Sequence, residues 1–206
     1  MPTDHYFSEQ PAAQGGRQII EADLRGFHLR LVTEAGIFSR ERVDRGTRLL
    51  IKHMEVRPRD HVLDLGCGYG VVGIVSALLA SEGRVTLVDV NRKAIELARQ
   101  NVTLNDIRNA EVCQGDGFAP VGDRRFDLIL LNPPIRTGLA TLHRLIAGAA
   151  DHLAPTGRFY IVGRTKQGVV RLSQKMAEVF GAVDEVAKGG GFRLFRTTHP
   201  RGNSAD

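Results

Sequence analysis

The 206-residue sequence lacks several features that would steer its reading elsewhere. It carries only two cysteines, Cys67 and Cys113, both in apolar surroundings and without metal-ligand spacing. That excludes a disulfide framework and argues for reduced thiols, with no metal expected. No stretch approaches the roughly 20 consecutive apolar residues of a membrane-spanning helix. Residues 1–18 are polar and lack the apolar core of a signal peptide, so the expected compartment is the cytoplasm, without membrane contact. There are no internal repeats, low-complexity tracts or Pro/Ser-rich linkers. A chain of this length with 42% hydrophobic and 25% charged residues fits one domain that holds its own core.

Lysine is scarce as well: 5 residues against 23 arginines, with a net charge of +5. Guanidinium groups are planar bidentate donors that match phosphate, which suggests a nucleic-acid partner. A merely solvated, arginine-biased surface fits the same charge, and charge alone does not separate the two.

The expected division is an N-terminal extension over 1–35 and a catalytic domain over 36–206. The extension holds a hairpin, with alternating apolar positions over 18–24 and 27–32 around a turn at Arg25-Gly26. Helical spacing follows over 43–54. After Pro58 strands and helices alternate: strands at 61–65, 84–88, 110–113, 126–131 and 157–162, helices at 71–80, 93–104, about 138–152 and 169–180. This pattern predicts an α/β fold with a mostly parallel sheet covered on both faces. Two final strands, 183–186 and 192–197, are joined only through Gly189-Gly190-Gly191. They predict a terminal hairpin that puts one antiparallel strand in the sheet.

The loop after the first strand of that sheet reads Asp64-Leu65-Gly66-Cys67-Gly68-Tyr69-Gly70. Its glycines permit positive φ and close approach of a ligand to the backbone, at the start of a helix with unpaired N–H groups. Asp89, at the end of the next strand, is placed to accept both hydroxyls of a ribose. Gly68-x-Gly70-x-x-Gly73 also matches a nicotinamide-dinucleotide fingerprint. Against that reading, Gly66 rather than Gly68 follows the strand directly, and Gly66-x-Gly68-x-x-Val71 breaks the motif. The Asp64 carboxylate would repel a pyrophosphate and attract an amine, and the terminal hairpin is not the second half of a dinucleotide fold. The expected ligand is an adenosine bearing a cationic amino acid.

Asp-x-Gly-x-Gly-x-Gly resembles the first motif of class I methyltransferases with a Rossmann-like sheet. The resemblance implies S-adenosyl-L-methionine as cofactor. Its methionine part would lie against Asp64, Leu65, Gly66, Cys67, Gly68 and Gly70. Asp89 would hold the ribose with Val90 and Asn91 beside it, and Asp116 with Gly117 would lie near the adenine amino group.

The fourth strand of the sheet runs into Asn132-Pro133-Pro134-Ile135. Proline removes donors, so this rigid loop offers acceptors, the Asn132 side-chain oxygen and the Pro133 carbonyl. Two acceptors that grip the N–H bonds of an exocyclic base amine favour the pyramidal nitrogen that attacks a methyl group. Asn-Pro-Pro followed by an aromatic or Ile resembles the amino-methyltransferase motif. Together with 36-GIFSRERVDRGTRLL-50, VDVNRKAIELA, NPPIRTG and TKQG, it resembles the small-subunit rRNA guanine-N2 methyltransferases over nearly the whole chain.

That resemblance implies ribosomal RNA as partner and guanine N2 as the methylated amine. It adds Phe38, Ser39, Asp44, Gly46 and Thr47, a segment that closes over the cofactor, to a site in which Asn132 serves both cofactor and reaction. Ile135 replaces the stacking aromatic of many members, and the second, degenerate half of the long bacterial members has no counterpart here. RNA contact would then fall to the 1–35 extension and to Arg40, Arg136, Arg164 and Arg193. Other readings remain open: methylation of a protein glutamine or a small molecule, or a non-catalytic RNA-binding module. The expected assembly state is a monomer or weak dimer.

Overall fold

The computed structural model describes residues 16–34, 41–133 and 138–198. Strands β1 (Gln18–Leu24) and β2 (Phe27–Thr33) pair as an antiparallel hairpin, with Arg25 and Gly26 both at positive φ in its turn. The main sheet has seven strands: β3 (His61–Leu65), β4 (Arg84–Asp89), β5 (Ala110–Gln114), β6 (Phe126–Leu131), β7 (Leu153–Arg164), β8 (Asp184–Gly189) and β9 (Phe192–Thr198). Their spatial order is β5-β4-β3-β6-β7-β9-β8. Strands β3 to β7 are mutually parallel, and β9 runs antiparallel between β7 and β8.

Among the described residues, five helices cover the sheet: α1 (Arg45–His53), α2 (Val71–Leu79), α3 (Arg92–Leu104), α4 (Leu139–His152) and α5 (Val169–Phe180). Strand alternation divides the core in two. Val62, Leu87, Leu128, Leu130 and Tyr160 face one side, with α1, α2, α3 and the hairpin. Leu63, Leu65, Ile129, Leu131 and Phe159 face the other, against α4 and α5. Each of these side chains is almost wholly buried; full burial of a Leu, Ile or Phe contributes roughly 1.5–3 kcal/mol before entropy is counted. Among the described residues, no helix is long and apolar enough to cross a membrane.

The architecture expected from the strand–helix alternation is present, including the antiparallel strand of the C-terminal hairpin. One strand start differs by four residues. The strand was expected from Gly157, with Pro155 in the connection before it, yet β7 begins at Leu153, directly after α4. Leu153 pairs with Phe126, and the next paired residue is Arg158 opposite Leu128, so 154–157 bulge out within the strand. Gly157 turns back so closely on Leu153 that an added Cβ would lie 2.7 Å from its Cγ. The bulge stores the extra residues without ending the pairing.

The chain runs outward from β3 through β4 to β5 and then returns to β6 on β3's other side. The carboxyl ends of β3 and β6 therefore flank the switch point at which open α/β sheets bind ligands.

Candidate functional site

A cleft of about 310 Å³ opens at that switch point. Its lining includes Thr47, Asp64, Gly66, Cys67, Gly68, Asp89, Val90, Asn91 and Asn132. A second hollow of about 130 Å³ shares Gly66, Asp89 and Val90 with it and extends over Leu65, Asp116, Gly117 and Pro133. Residues from five separate sequence segments thus meet in one continuous groove.

The glycines divide into two kinds. Gly66 and Gly68 have φ of 72° and 57°, and a Cβ built on either would meet nothing within 4 Å. They are glycine for their backbone angles, and they leave the groove wall bare. Gly73 is instead a packing residue, and Gly70, at φ 91°, answers to both its backbone angle and its packing. A Cβ on Gly73 would lie 2.5 Å from Leu87 Cγ, and one on Gly70 3.2 Å from Ala98 Cβ. They let α2 lie close to β4 and α3, with Gly70 capping α2 rather than facing the groove.

Two carboxylates brace the loop. Asp89 accepts hydrogen bonds from the N–H of Gly68 (2.9 Å) and of Asn91 (2.8 Å), one at each oxygen. An ionised carboxylate has about four acceptor positions, so it retains capacity for two hydroxyls. Asp64 is buried and accepts from the Gly73 N–H at 2.8 Å. Burial raises its pKa to about 7, against the stabilising Gly73 hydrogen bond, and the charge of Asp89 adds a little to the rise. No cation pairs with it among the described residues. Cys67 beside it is pushed well above the normal thiol range, first by burial, and so stays an unreactive thiol. Val90, two-thirds exposed, leaves a bare apolar side chain next to Asp89.

The third feature joins residues 85 positions apart. Asn132 follows Leu131, which faces α4 and α5, so strand alternation turns its side chain to the α1 face. There its Nδ2 donates to Thr47 Oγ1 at 2.8 Å. The Thr47 hydroxyl in turn bonds the Asp44 carboxylate. Asp44 caps α1, accepting from the N–H groups of Gly46 (2.8 Å) and Thr47 (3.2 Å). Gly46 lies under Phe192, where a Cβ would come within 2.6 Å of the ring, which brings the start of α1 against β9.

This network fixes the direction of each hydrogen. An ionised Asp44 accepts only, so the Thr47 proton points at it, and the Thr47 oxygen must accept from Asn132. The Asn132 amide is thereby held with Nδ2 toward α1. Its Oδ1 makes no hydrogen bond among the described residues.

Other expected site residues lie behind the groove wall or are already partnered at its rim. Asp44 and Gly46 lie behind Thr47. Asp116 reaches the rim of the second hollow, where both its oxygens accept from Arg144 Nη2 at 2.9 Å. Phe38, Ser39, Pro134 and Ile135 lie outside the described residues, as do Arg40 and Arg136. Of the other arginines expected to meet RNA, Arg164 lies over the Phe192 ring at 4.9 Å, and Arg193 is paired with Glu185 at 2.9 Å.

Other contributors were not singled out from sequence. Tyr69, Val71, Val72 and Ala94 line the cleft, and Thr141 and Leu145 of α4 line the second hollow. Fully buried Asn101 donates to the carbonyls of Tyr69 (2.9 Å) and Val32 (3.0 Å) and accepts from the Val32 N–H (2.7 Å). It ties the glycine loop to the N-terminal hairpin. An asparagine inside an otherwise apolar helix face was the one available signal.

With this geometry, the family model described as "Methyltransferase small domain" matches residues 28–196. An uncharacterised Bacillus subtilis protein, YbxB, is 35% identical over 196 residues, 94% of this chain and 98% of its own length. A Pseudomonas fluorescens protein named ribosomal RNA small subunit methyltransferase C is 37% identical over 185 residues, 87% of this chain. The chain spans about half of that relative, 54% of its length. Among solved structures, the Thermus thermophilus 16S rRNA N2 G1207 methyltransferase, RsmC, in complex with AdoMet and guanosine, superposes with a TM-score of 0.80. It is 24% identical, with 92% of this chain and 52% of that one covered, a likeness of fold.

Proposed function

The chain belongs to the methyltransferase small-domain family of S-adenosylmethionine-dependent enzymes, and from that premise we propose that it methylates an exocyclic amine of an RNA base, guanine N2 of small-subunit ribosomal RNA. The observation that carries the proposal is the fixed Asn132 amide. A hydrogen-bond acceptor stands at the carboxyl end of β6, on the wall of the groove, with no other partner among the described residues.

The groove suits the cofactor on its own terms. The bare backbone at Gly66 and Gly68 admits close approach, and Asp89 keeps acceptor capacity for ribose hydroxyls. Val90 offers an apolar face to a base, and buried Asp64 supplies a negative charge for an ammonium. When bound, S-adenosylmethionine supplies an electrophilic methyl group on a positively charged sulfur.

The protein's own part is to hold the amine. Asn132 Oδ1 accepts one N–H of the exocyclic group, and the Pro133 carbonyl accepts the other. Held this way, the nitrogen lone pair would leave conjugation with the ring and become free to take the methyl group that the bound cofactor supplies. The nitrogen would turn positive as it does so, and both oxygens would stabilise that charge without reorganising. The excess proton becomes acidic only at that stage and passes to water, so no strong general base is required. Thr47 and Asp44 act as positioning residues that keep Oδ1, rather than Nδ2, toward the amine.

The choice of ribosomal RNA is supported by the names of the Pseudomonas and Thermus proteins, and that of guanine N2 by the Thermus protein. The arginine-rich composition favours a polyanionic substrate over a protein side chain. The test is methyl transfer from tritiated cofactor to an unmodified small-subunit rRNA transcript by wild type and Asn132→Ala. Transfer by wild type and its loss in the variant, at unchanged cofactor affinity, support the reading; full activity in the variant refutes it.

A further inference from the structure

At the edge of the sheet opposite the cofactor groove, a cavity of about 780 Å³ is formed where β3, β4, β5 and β6 begin. Its wall carries His61, Arg84, Arg108, Arg124 and Arg125 against a single carboxylate, Glu111. We propose that this cavity is a second RNA contact, a site for backbone phosphates of the same RNA whose base enters the groove. The inference rests on the RNA reading above.

The four guanidiniums fall into two pairs. Arg124 and Arg125 are anchored. Arg124 donates to the Val121 carbonyl (3.1 Å) and bonds Glu111, and Arg125 donates to the Leu153 carbonyl (3.1 Å). Glu111 also accepts from Thr86 at 2.7 Å, and although burial raises its carboxyl, Arg124 and Thr86 together, with a smaller contribution from the Arg84 charge, hold it below the usual range. The one carboxylate of the cavity is therefore already neutralised from within. The side chains of Arg84 and Arg108 make no hydrogen bond or ion pair among the described residues, and both are exposed at the opening.

A plainer reading is that these arginines offset the helix carboxyl ends at this edge. Part of that need is met otherwise. The Asn109 side chain donates to the carbonyls of Ala77, Ala80 and Gly83 at the end of α2, and Arg125 takes the Leu153 carbonyl just beyond α4. A helix end carries only about half a charge, and its field fades within a turn. Two free guanidiniums in a concave site exceed that requirement, and phosphate oxygens are what such planar donors fit.

The position selects a large ligand. The cavity and the groove lie at opposite ends of β3, whose five residues span about 17 Å at roughly 3.3 Å each. A free nucleoside in the groove cannot touch both. A folded RNA that wraps the β5 side of the sheet can, and phosphate contacts of this kind set register without reading sequence.

The experiment is fluorescence anisotropy of the full chain with a labelled small-subunit rRNA transcript across a salt series, for wild type and Arg84→Ala/Arg108→Ala. Calorimetry with S-adenosylmethionine and thermal melting accompany it, and calorimetry with inorganic pyrophosphate probes a small phosphorylated ligand. We expect RNA affinity to fall about tenfold in the double variant. The slope of log affinity against log salt should become shallower by about 1.5–2, with cofactor affinity and melting unchanged. Equal affinity and slope in the two proteins overturn the cavity assignment while leaving the RNA reading intact. Pyrophosphate binding that disappears in the variant, with RNA binding unaffected, overturns it in favour of a small anion. Absence of RNA binding by wild type overturns the RNA reading first, and this inference with it.

Discussion

The two edges of the central sheet differ in sign and in the source of their order. At the carboxyl edge the notable charges are carboxylates, Asp44, Asp64 and Asp89, and each accepts backbone N–H groups from a helix start or the glycine loop. At the amino edge they are arginines beside helix ends: Arg124 and Arg125 are held by carbonyls and by Glu111, while the Arg84 and Arg108 side chains make no hydrogen bond among the described residues. The parallel topology produces this polarity, because every β-to-α connection sends helix N-termini to one edge and C-termini to the other. Carboxylates fixed by backbone donors make a rigid, partly buried site for a cationic cofactor. Arginines on flexible stems make an adaptable surface for phosphates. Precision is found at one edge and steering at the other.

The largest expected effect lies at the carboxyl edge. Asn132→Ala should lower turnover by about 10² or more, as for loss of one preorganised partner of a transition-state charge, with cofactor affinity nearly unchanged. Single-turnover transfer and calorimetry check the two halves; a loss confined to cofactor binding would reassign Asn132.

Asp89→Ala should weaken S-adenosylmethionine binding by about 10- to 100-fold, the range for lost hydrogen bonds to a charged group. Unchanged affinity by calorimetry would remove the ribose role.

Asp64 gives a pH test. Burial raises its pKa to about 7, so below that pH it is neutral and offers no charge to an ammonium. Cofactor affinity should fall by about tenfold per pH unit below 7 in wild type and lose that dependence in Asp64→Asn. For stability the sign reverses. The folded pKa lies above the unfolded value, so the group's contribution is fully present at low pH and is lost as pH rises through about 7. Asp64→Asn should therefore melt higher than wild type at pH 8 without cofactor, and an equal or lower melting point would contradict the buried charge.

Thr47→Val removes the hydroxyl that orients Asn132. Turnover should fall by about 5- to 10-fold at constant cofactor affinity, and Thr47→Ser should restore it. A rise in the cofactor dissociation constant instead would mean that Thr47 holds the cofactor directly. The smallest effect is expected from across the sheet: Arg84→Ala/Arg108→Ala should leave cofactor affinity as it is, which keeps the two edges separable.

Much of this comparison was legible before the structure. The period change after Pro58, the strand–glycine-loop–helix unit at 61–80 and the helix-free link between the last two strands are local patterns, and local patterns survive in a linear reading. Asp64, Asp89 and Asn132 were legible because strand ends and their loops carry them. Partnerships across the chain were not. Asp44 and Thr47 were expected against the cofactor; Thr47 does line the cleft, but its bond to Asn132, backed by Asp44, is a pairing that only the return of β6 beside β3 creates. Asp116 was expected at the adenine, and nothing local announces Arg144 on α4. Asn101, one polar residue among apolar neighbours, stitches the hairpin to the glycine loop, and periodicity says nothing about its partners. The strand residues before Gly157 were missed because a bulge has the composition of a turn.

The central claim is that the carboxyl edge grips a base amine of ribosomal RNA for methylation. The most direct measurement incubates the protein and tritiated S-adenosylmethionine with unmodified small-subunit rRNA and with total cellular protein, then digests the RNA to nucleosides. The account predicts that the label enters RNA and co-migrates with N2-methylguanosine. Label confined to protein, or found in RNA on another atom or base, would contradict it.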